Sequence, residues 1–208
     1  MKKSEQLKKV HNFILDPFQD ELGGVNLNTE FKNVLKAIRE IDKGKTESEK
    51  TTNFLYVLYG DAIANIKPDE NYWFKLAGFI QGDIEKWKKI KQEHDEELRR
   101  EKQGKKKAKD KKKLFDYEVD SKEIYTSFLL AYKIDLRKES LHWCDFVAML
   151  DALPKDTPLK SKMEVRGWKP SKGDSDEYKA HMKSLQNELS LEENEDEGDS
   201  GCLSKLMR

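Results

Sequence analysis

Long apolar runs are missing from this sequence, and so is any net charge. No stretch approaches the ~20 consecutive apolar residues that cross a bilayer, so a helical membrane protein is excluded and a soluble chain is expected. Forty lysines and arginines face forty aspartates and glutamates. The summed field therefore favours neither nucleic acid nor an acidic partner. Cysteine is scarce: Cys144 and Cys202 lie far apart, a pattern that suits a reducing interior and not a disulfide framework. The opening "MKKSEQLKKVHNFILDPF" is charged at first, with no long apolar stretch and no small-residue cleavage site. It does not read as a signal peptide, and an intracellular protein is expected.

Charge of both signs is abundant. Charged residues make up 38% of the chain and apolar ones 36%, against roughly 25% charged in an average globular protein. A core sized for all 208 residues is not expected; a modest one with solvated helices and disordered ends is.

Helical periodicity dominates. In "NTEFKNVLKAIREID", Phe31, Val34, Leu35, Ile38 and Ile41 repeat at the i, i+3, i+4, i+7 spacing of one apolar face, with Asn28 or Thr29 as N-cap. Thr46 and Glu49 form a capping box before a helix that stops at Gly60. Pro68 marks a first turn ahead of Trp73, Leu76, Ala77 and Ile80. Upstream, Gly23-Gly24 and the alternating Val25 and Leu27 leave room for a short hairpin.

Beyond Asp83 the apolar positions thin to Ile84, Trp87, Ile90 and Leu98, and "RREKQGKKKAKDKKK" follows. Clustered ammonium groups displace counterions from phosphates, so Lys105 to Lys113 form a candidate nucleic-acid arm. No aromatic residue interleaves the lysines to stack on bases, and a solvated linker is the favoured reading.

Order resumes with Asp120 and Glu123 as a second capping box and Ile124, Phe128, Ala131 and Tyr132 on one face. "KIDLRK" then leads to a helix with Trp143, Phe146, Val147, Leu150 and Leu153 on a stripe closed by Pro154. Thr157 and Pro158 start a short helix ending near Arg166-Gly167; Tyr178, Met182, Leu185 and Leu189 mark a last one. The expected fold is all-α, a bundle of six to eight helices with a short β-hairpin near the N-terminus. Its parts are an N-terminal helical region over 1–98, a lysine-rich linker over 99–113, a C-terminal helical region over 114–191 and a disordered acidic tail over 192–208.

The stretch "YKIDLRKESLHWCDF" gathers Tyr132, Asp135, His142, Trp143 and Cys144, the types from which active and metal sites are built. Zinc takes three or four ligands, commonly as close Cys or His pairs. Here His142 and Cys144 stand alone, with His11, His94 and His181 remote. Cysteine catalysis needs a base within hydrogen-bond reach, and helical residues two apart face different ways. No glycine-rich phosphate loop, Gly-x-Ser-x-Gly or HExxH pattern occurs. No catalytic residue, metal ligand or cofactor is therefore assigned. Asp135 and His142 read as corner residues, Asp135 capping the next helix or accepting from His142 or the Trp143 indole.

The segment "FDYEVDSKEIYTSFLLAYKIDLRKESLHWCDFVAMLDALPKDT" resembles the signature of the bacteriophage gene-product-fifteen family. The resemblance rests on Asp120, Ile124, Tyr125, Phe128, Tyr132, Ile134, Asp135, Leu136, Leu141, His142, Trp143, Phe146, Leu150, Leu153 and Arg166. Lys133 stands where the family has a turn glycine, so the turn either avoids a left-handed conformation or accepts strain. Cys144 stands where it has a second tryptophan, which implies a shallower contact surface.

What the resemblance implies is a protein of tailed phages or prophages, encoded just upstream of the tape measure gene. The implied function is a non-enzymatic tail assembly chaperone in the cytoplasm of the bacterial host. Its partners would be the tape measure protein and other tail assembly proteins, with no membrane, nucleic acid or cofactor; a homo-oligomer stays open. The rival readings are a structural tail or connector component of the virion and a nucleic-acid-binding protein acting through the lysine run. Partner contact is expected from the exposed edge of the aromatic hairpin, drawn from Tyr125, Tyr132, Leu136, Trp143 and Phe146, although each taken singly is better suited to the core, where aromatic stripes at helical spacing usually lie.

Overall fold

In the computed structural model, residues 20–41, 43–102 and 113–191 are described; the acidic tail and most of the lysine-rich run lie outside them. Among the described residues the chain forms eight α-helices and one small hairpin.

The hairpin pairs β1 (Glu21–Leu22) with β2 (Val25–Asn26), antiparallel, with Leu22 opposite Val25. Gly23 and Gly24 both take positive φ, 68° and 79°, as the tight turn of such a ribbon requires. At Gly23 a side chain is also excluded by space, because a Cβ would lie 2.9 Å from Ile66 and 3.0 Å from the Tyr72 ring.

Helix α1 (Phe31–Ile41) buries Phe31, Val34, Ala37 and Ile41, while Leu35 and Ile38 of the predicted face are half-buried against the core. Its N-cap differs from expectation. The Glu30 carboxylate accepts from the Asn33 N–H at 3.3 Å, whereas the Asn28 and Thr29 backbones are engaged elsewhere. The Asn28 N–H donates to Leu58 and the Thr29 carbonyl accepts from the Trp143 N–H. Helix α2 (Glu47–Tyr59) packs along α1. Its capping box forms, with Thr46 Oγ1 accepting from the Glu49 N–H and the Glu49 carboxylate from Lys45. Gly60, at φ 57°, ends it.

Helix α3 (Tyr72–Ile80) starts four residues after Pro68. Asp69 accounts for the delay, its carboxylate accepting from the Asn71 N–H at 2.9 Å and its carbonyl from Tyr72 at 3.1 Å. Helix α4 (Trp87–Lys102) packs on α3 and runs as one helix past residue 98 into the predicted linker.

Helix α5 (Ser121–Tyr132), α6 (Trp143–Asp151), α7 (Pro158–Gly167) and α8 (Asp176–Glu188) complete the fold. Thr157 and Pro158 sit at the start of α7 as expected, but Thr157 Oγ1 donates back to Pro154 at 2.7 Å. The α7 N-terminus is served from another helix, where Ser127 Oγ accepts from the Leu159 N–H at 3.1 Å.

The core is one cluster that draws on both sides of the lysine-rich run. Phe146 lies at its middle. Its ring stacks with Phe31 at 4.9 Å, Phe128 at 5.2 Å and Trp143 at 5.6 Å. Burying such rings contributes about 1.5–3 kcal/mol each, and offset stacking about 0.5–1.5 kcal/mol beyond that.

Candidate functional site

The α5–α6 corner begins at Lys133. This residue takes φ 59° and ψ 24°, so the turn keeps the left-handed conformation of a glycine and accepts the strain of a side chain there. Its ammonium donates back to the Leu130 carbonyl at 3.1 Å, a contact that suits a helix C-terminus. Asp135 acts locally. Its carboxylate accepts from the Arg137 N–H at 3.1 Å and pairs with Lys138 at 3.3 Å. It caps no helix and meets neither His142 nor the Trp143 indole.

Those two groups find other partners. The indole N–H of the fully buried Trp143 donates to the Phe79 and Ile80 carbonyls, at 2.9 and 3.2 Å, at the end of α3. His142 is the N-cap of α6, its Nδ1 accepting from the Cys144 N–H at 3.1 Å. Nε2 then carries the proton and donates to Asp20 Oδ1 at 2.9 Å. Its backbone bridges Glu30, next to α1. The imidazole thus holds two separate segments in place and does not turn to the thiol. Cys144 is buried, and burial, with help from the carboxylates of Asp83, Asp145 and Asp20, pushes its thiol up to about 12. A thiol so held stays protonated and is a poor nucleophile.

The second cluster joins the ends of α5 and α7. Asp120 precedes α5 but makes no side-chain cap bond. Its carboxylate is turned into the protein, fully buried, where Arg166 grips both oxygens, Nη2 reaching Oδ1 at 3.0 Å and Nη1 reaching Oδ2. Lys162 adds an ammonium 2.8 Å from Oδ1, and the Asp116 N–H donates to Oδ2 at 2.9 Å. Burial opposes ionisation of Asp120, but Arg166, Lys162 and the Asp116 amide outweigh it and hold the carboxyl below the ordinary carboxylate range. Arg166 also donates to the Leu189 carbonyl at 2.6 Å and the Leu114 carbonyl at 3.0 Å. Gln186 on α8 bonds the carbonyls of Val165, Arg166 and Trp168 at the end of α7. The sequence reading named Asp120 and Arg166 but missed Lys162, Asp116 and Gln186, whose roles depend on partners distant in sequence. Among the described residues, no buried side-chain nitrogen or oxygen lacks a hydrogen-bond partner.

Of the residues expected to touch a partner, Trp143 and Phe146 are fully buried and Leu136 nearly so. Their rings and methyl groups fill the core because α1, α3 and α5 all converge on them. Ile124 and Phe128 line the inner face of α5. Tyr125 and Tyr132 are half-buried. The Tyr125 ring lies under the Arg137 guanidinium at 4.4 Å, and its hydroxyl accepts from Arg137 at 2.8 Å. The Tyr132 hydroxyl donates to the Met149 carbonyl at 2.8 Å. The exposed apolar side chains of α5 are instead Leu129 and Leu130, 39% and 58% exposed. The sequence signal for them is a double leucine following Phe128, too many apolar residues for one inward face.

The fold is mostly helical, with an aromatic pair of helices joined by a tight turn at its centre. The chain matches the bacteriophage Gp15 protein family over residues 21–191 and belongs to it. Comparison with curated proteins and with solved structures finds no match. No helix among the described residues is long and apolar enough to cross a membrane.

Proposed function

We propose that this phage protein is a non-enzymatic assembly factor, a tail assembly chaperone that binds the tape measure protein in the cytoplasm of the host bacterium. One observation carries this reading. The motif residues Asp120, Phe128, Trp143, Phe146 and Arg166 all turn inward, and what they hold in place is a helix, α5, that exposes two adjacent leucines, Leu129 and Leu130. The polar groups that would serve chemistry are occupied in the fold. Asp120 is saturated by Arg166, Lys162 and an amide; His142 caps α6; the Cys144 thiol is kept protonated. A tape measure protein is long and helical, and its apolar stripes need cover until tube subunits surround it. A rigid helix face suits that task, since amphipathic helices are commonly recognised by such surfaces.

Co-expression with the tape measure protein of the same phage tests the reading. Tape measure solubility should rise with this chain present, and unchanged solubility would sink the proposal. Mass spectrometry of purified virions should find the chain absent; a stoichiometric amount would favour a structural tail component.

A further inference from the structure

The outer face of α5 has a definite chemical pattern. On a helix, residues three and four apart lie side by side, which places Lys122, the half-buried Thr126, Leu129 and Leu130 along one strip of α5, with Lys133, its C-cap, just past the end. Leu130 and Leu129 form its middle, and an exposed lysine stands at each end. Among the described residues neither ammonium has a carboxylate partner. The nearby acids are engaged elsewhere, Glu123 with Lys162 at 3.2 Å and Asp135 with Lys138 at 3.3 Å. Tyr125, held under Arg137, borders the strip and adds a third cation. Single surface leucines are ordinary; an adjacent pair bracketed by cations with no carboxylate partner among the described residues, Lys133 bonding only the Leu130 carbonyl, is a pattern that asks for a complement.

A second copy of this chain does not supply it. Two α5 helices paired about a two-fold axis would set Lys122 of one against Lys133 of the other if antiparallel, and each lysine against its own copy if parallel. Like charges would meet at both ends. The strip is also small, about 16 Å long over the eleven residue-to-residue steps from 122 to 133, and falls far short of the roughly 800 Å² per partner of a lasting interface.

We infer that the outer face of α5 is a docking strip for an amphipathic helix of another protein, one whose apolar stripe is bracketed by carboxylates that meet Lys122 and Lys133. Leu129 and Leu130 enter the partner's stripe, and the two ammonium groups set register and orientation. The small area makes the contact transient, as a factor that must let go requires. The inference rests on the assembly-factor reading for its biological partner, whereas the strip's chemistry is testable without it.

The test uses the full chain and two synthetic helical peptides that share one leucine stripe, one flanked by glutamates and the other by lysines. Binding is followed by fluorescence anisotropy and by amide chemical shifts. The glutamate-flanked peptide should perturb amides of α5 between Lys122 and Lys133. It should bind about tenfold more tightly than its lysine twin at low ionic strength, with the gap closing as salt screens the charges. Leu130→Glu should abolish binding while leaving the thermal midpoint and helicity unchanged, since the side chain is exposed. Lys122→Glu with Lys133→Glu should reverse the preference between peptides. Equal binding of both peptides, shifts confined to another helix, or full binding by Leu130→Glu would each overturn the inference. If the peptides behave as expected but the tape measure protein is unaffected by the chain, the strip stands and the proposed partner falls. If tape measure solubility rises and is insensitive to Leu130→Glu, the partner stands and the strip falls.

Discussion

The rings of Phe31 and Phe146 lie nearly parallel, 18° apart with centroids at 4.9 Å, although one opens α1 and the other sits in α6. This stack joins the part of the chain before the lysine-rich run to the part after it, and Phe128 and Trp143 close on the same ring. Phe146→Ala should therefore destabilise the whole molecule and not one half, by about 3–5 kcal/mol. Urea unfolding monitored at tryptophan and by far-ultraviolet circular dichroism should show one shifted transition. Two transitions in the parent protein, of which Phe146→Ala moves one alone, would show that the stack is not the joint.

Arg166 and Asp120 should be strongly unequal to their parts. Replacing Arg166 with Met leaves a buried carboxylate with Lys162 as its remaining cation, at a cost of about 3–5 kcal/mol. Replacing Asp120 with Leu in that background removes the stranded charge and should recover part of the loss. A double-mutant cycle in urea measures the coupling; additive effects would contradict it.

Acid should find the same cluster. The Asp120 carboxyl lies below its ordinary range in the folded protein, and so does that of Asp116, held there by Lys113 and two amides against its burial. For a depressed carboxyl the unfolded chain binds the proton first, so the stabilisation is complete above about 3.9, the unfolded value, and is lost as pH falls through the folded one. Stability should change little from pH 7 to 5 on account of these groups and fall below about pH 4. Asp120→Asn should flatten that acid limb, and an unchanged limb would show that other carboxyls govern it.

Lys133→Gly separates stability from binding. Glycine enters the left-handed region without the penalty a side chain meets there, and the variant should gain about 0.5–1 kcal/mol in urea unfolding. It also removes one end of the α5 strip, so affinity for the glutamate-flanked peptide should drop. A variant less stable than the parent would mean that the bond from the ammonium to Leu130 outweighs the strain.

Local patterns carried the sequence reading a long way. The spacing of Phe31, Val34 and Ile41, the Thr46–Glu49 box, the Gly23-Gly24 turn, the stop at Gly60 and the Pro158 start are all present as expected. Each depends on neighbours within about a turn. The readings that failed are those settled by remote partners. Asp120 and Glu123 have the spacing of a capping box, yet Arg166, 46 residues away, draws the carboxylate inward. Asn28 and Thr29 suit an N-cap, but Leu58 and Trp143 take their backbone groups. Trp143 and Phe146 lie on an apolar stripe whose depth depends on helices that periodicity does not name. The double leucine of α5 is visible in the sequence, while its exposure follows only from where the other helices stop.

One guanidinium has a consequence beyond the pair it completes. Because Arg166 binds the carbonyls of both Leu114 and Leu189, the residue that follows the lysine run and the residues that lead to the acidic stretch are fastened at a single corner of the domain. Residues 99–113 carry ten basic side chains against two acidic ones, and 192–199 carry six acidic side chains and no basic one. One side chain thus ties together the two described ends, at Leu114 and Leu189, from which the chain continues toward the two strongest and opposite charge blocks of an otherwise balanced polypeptide.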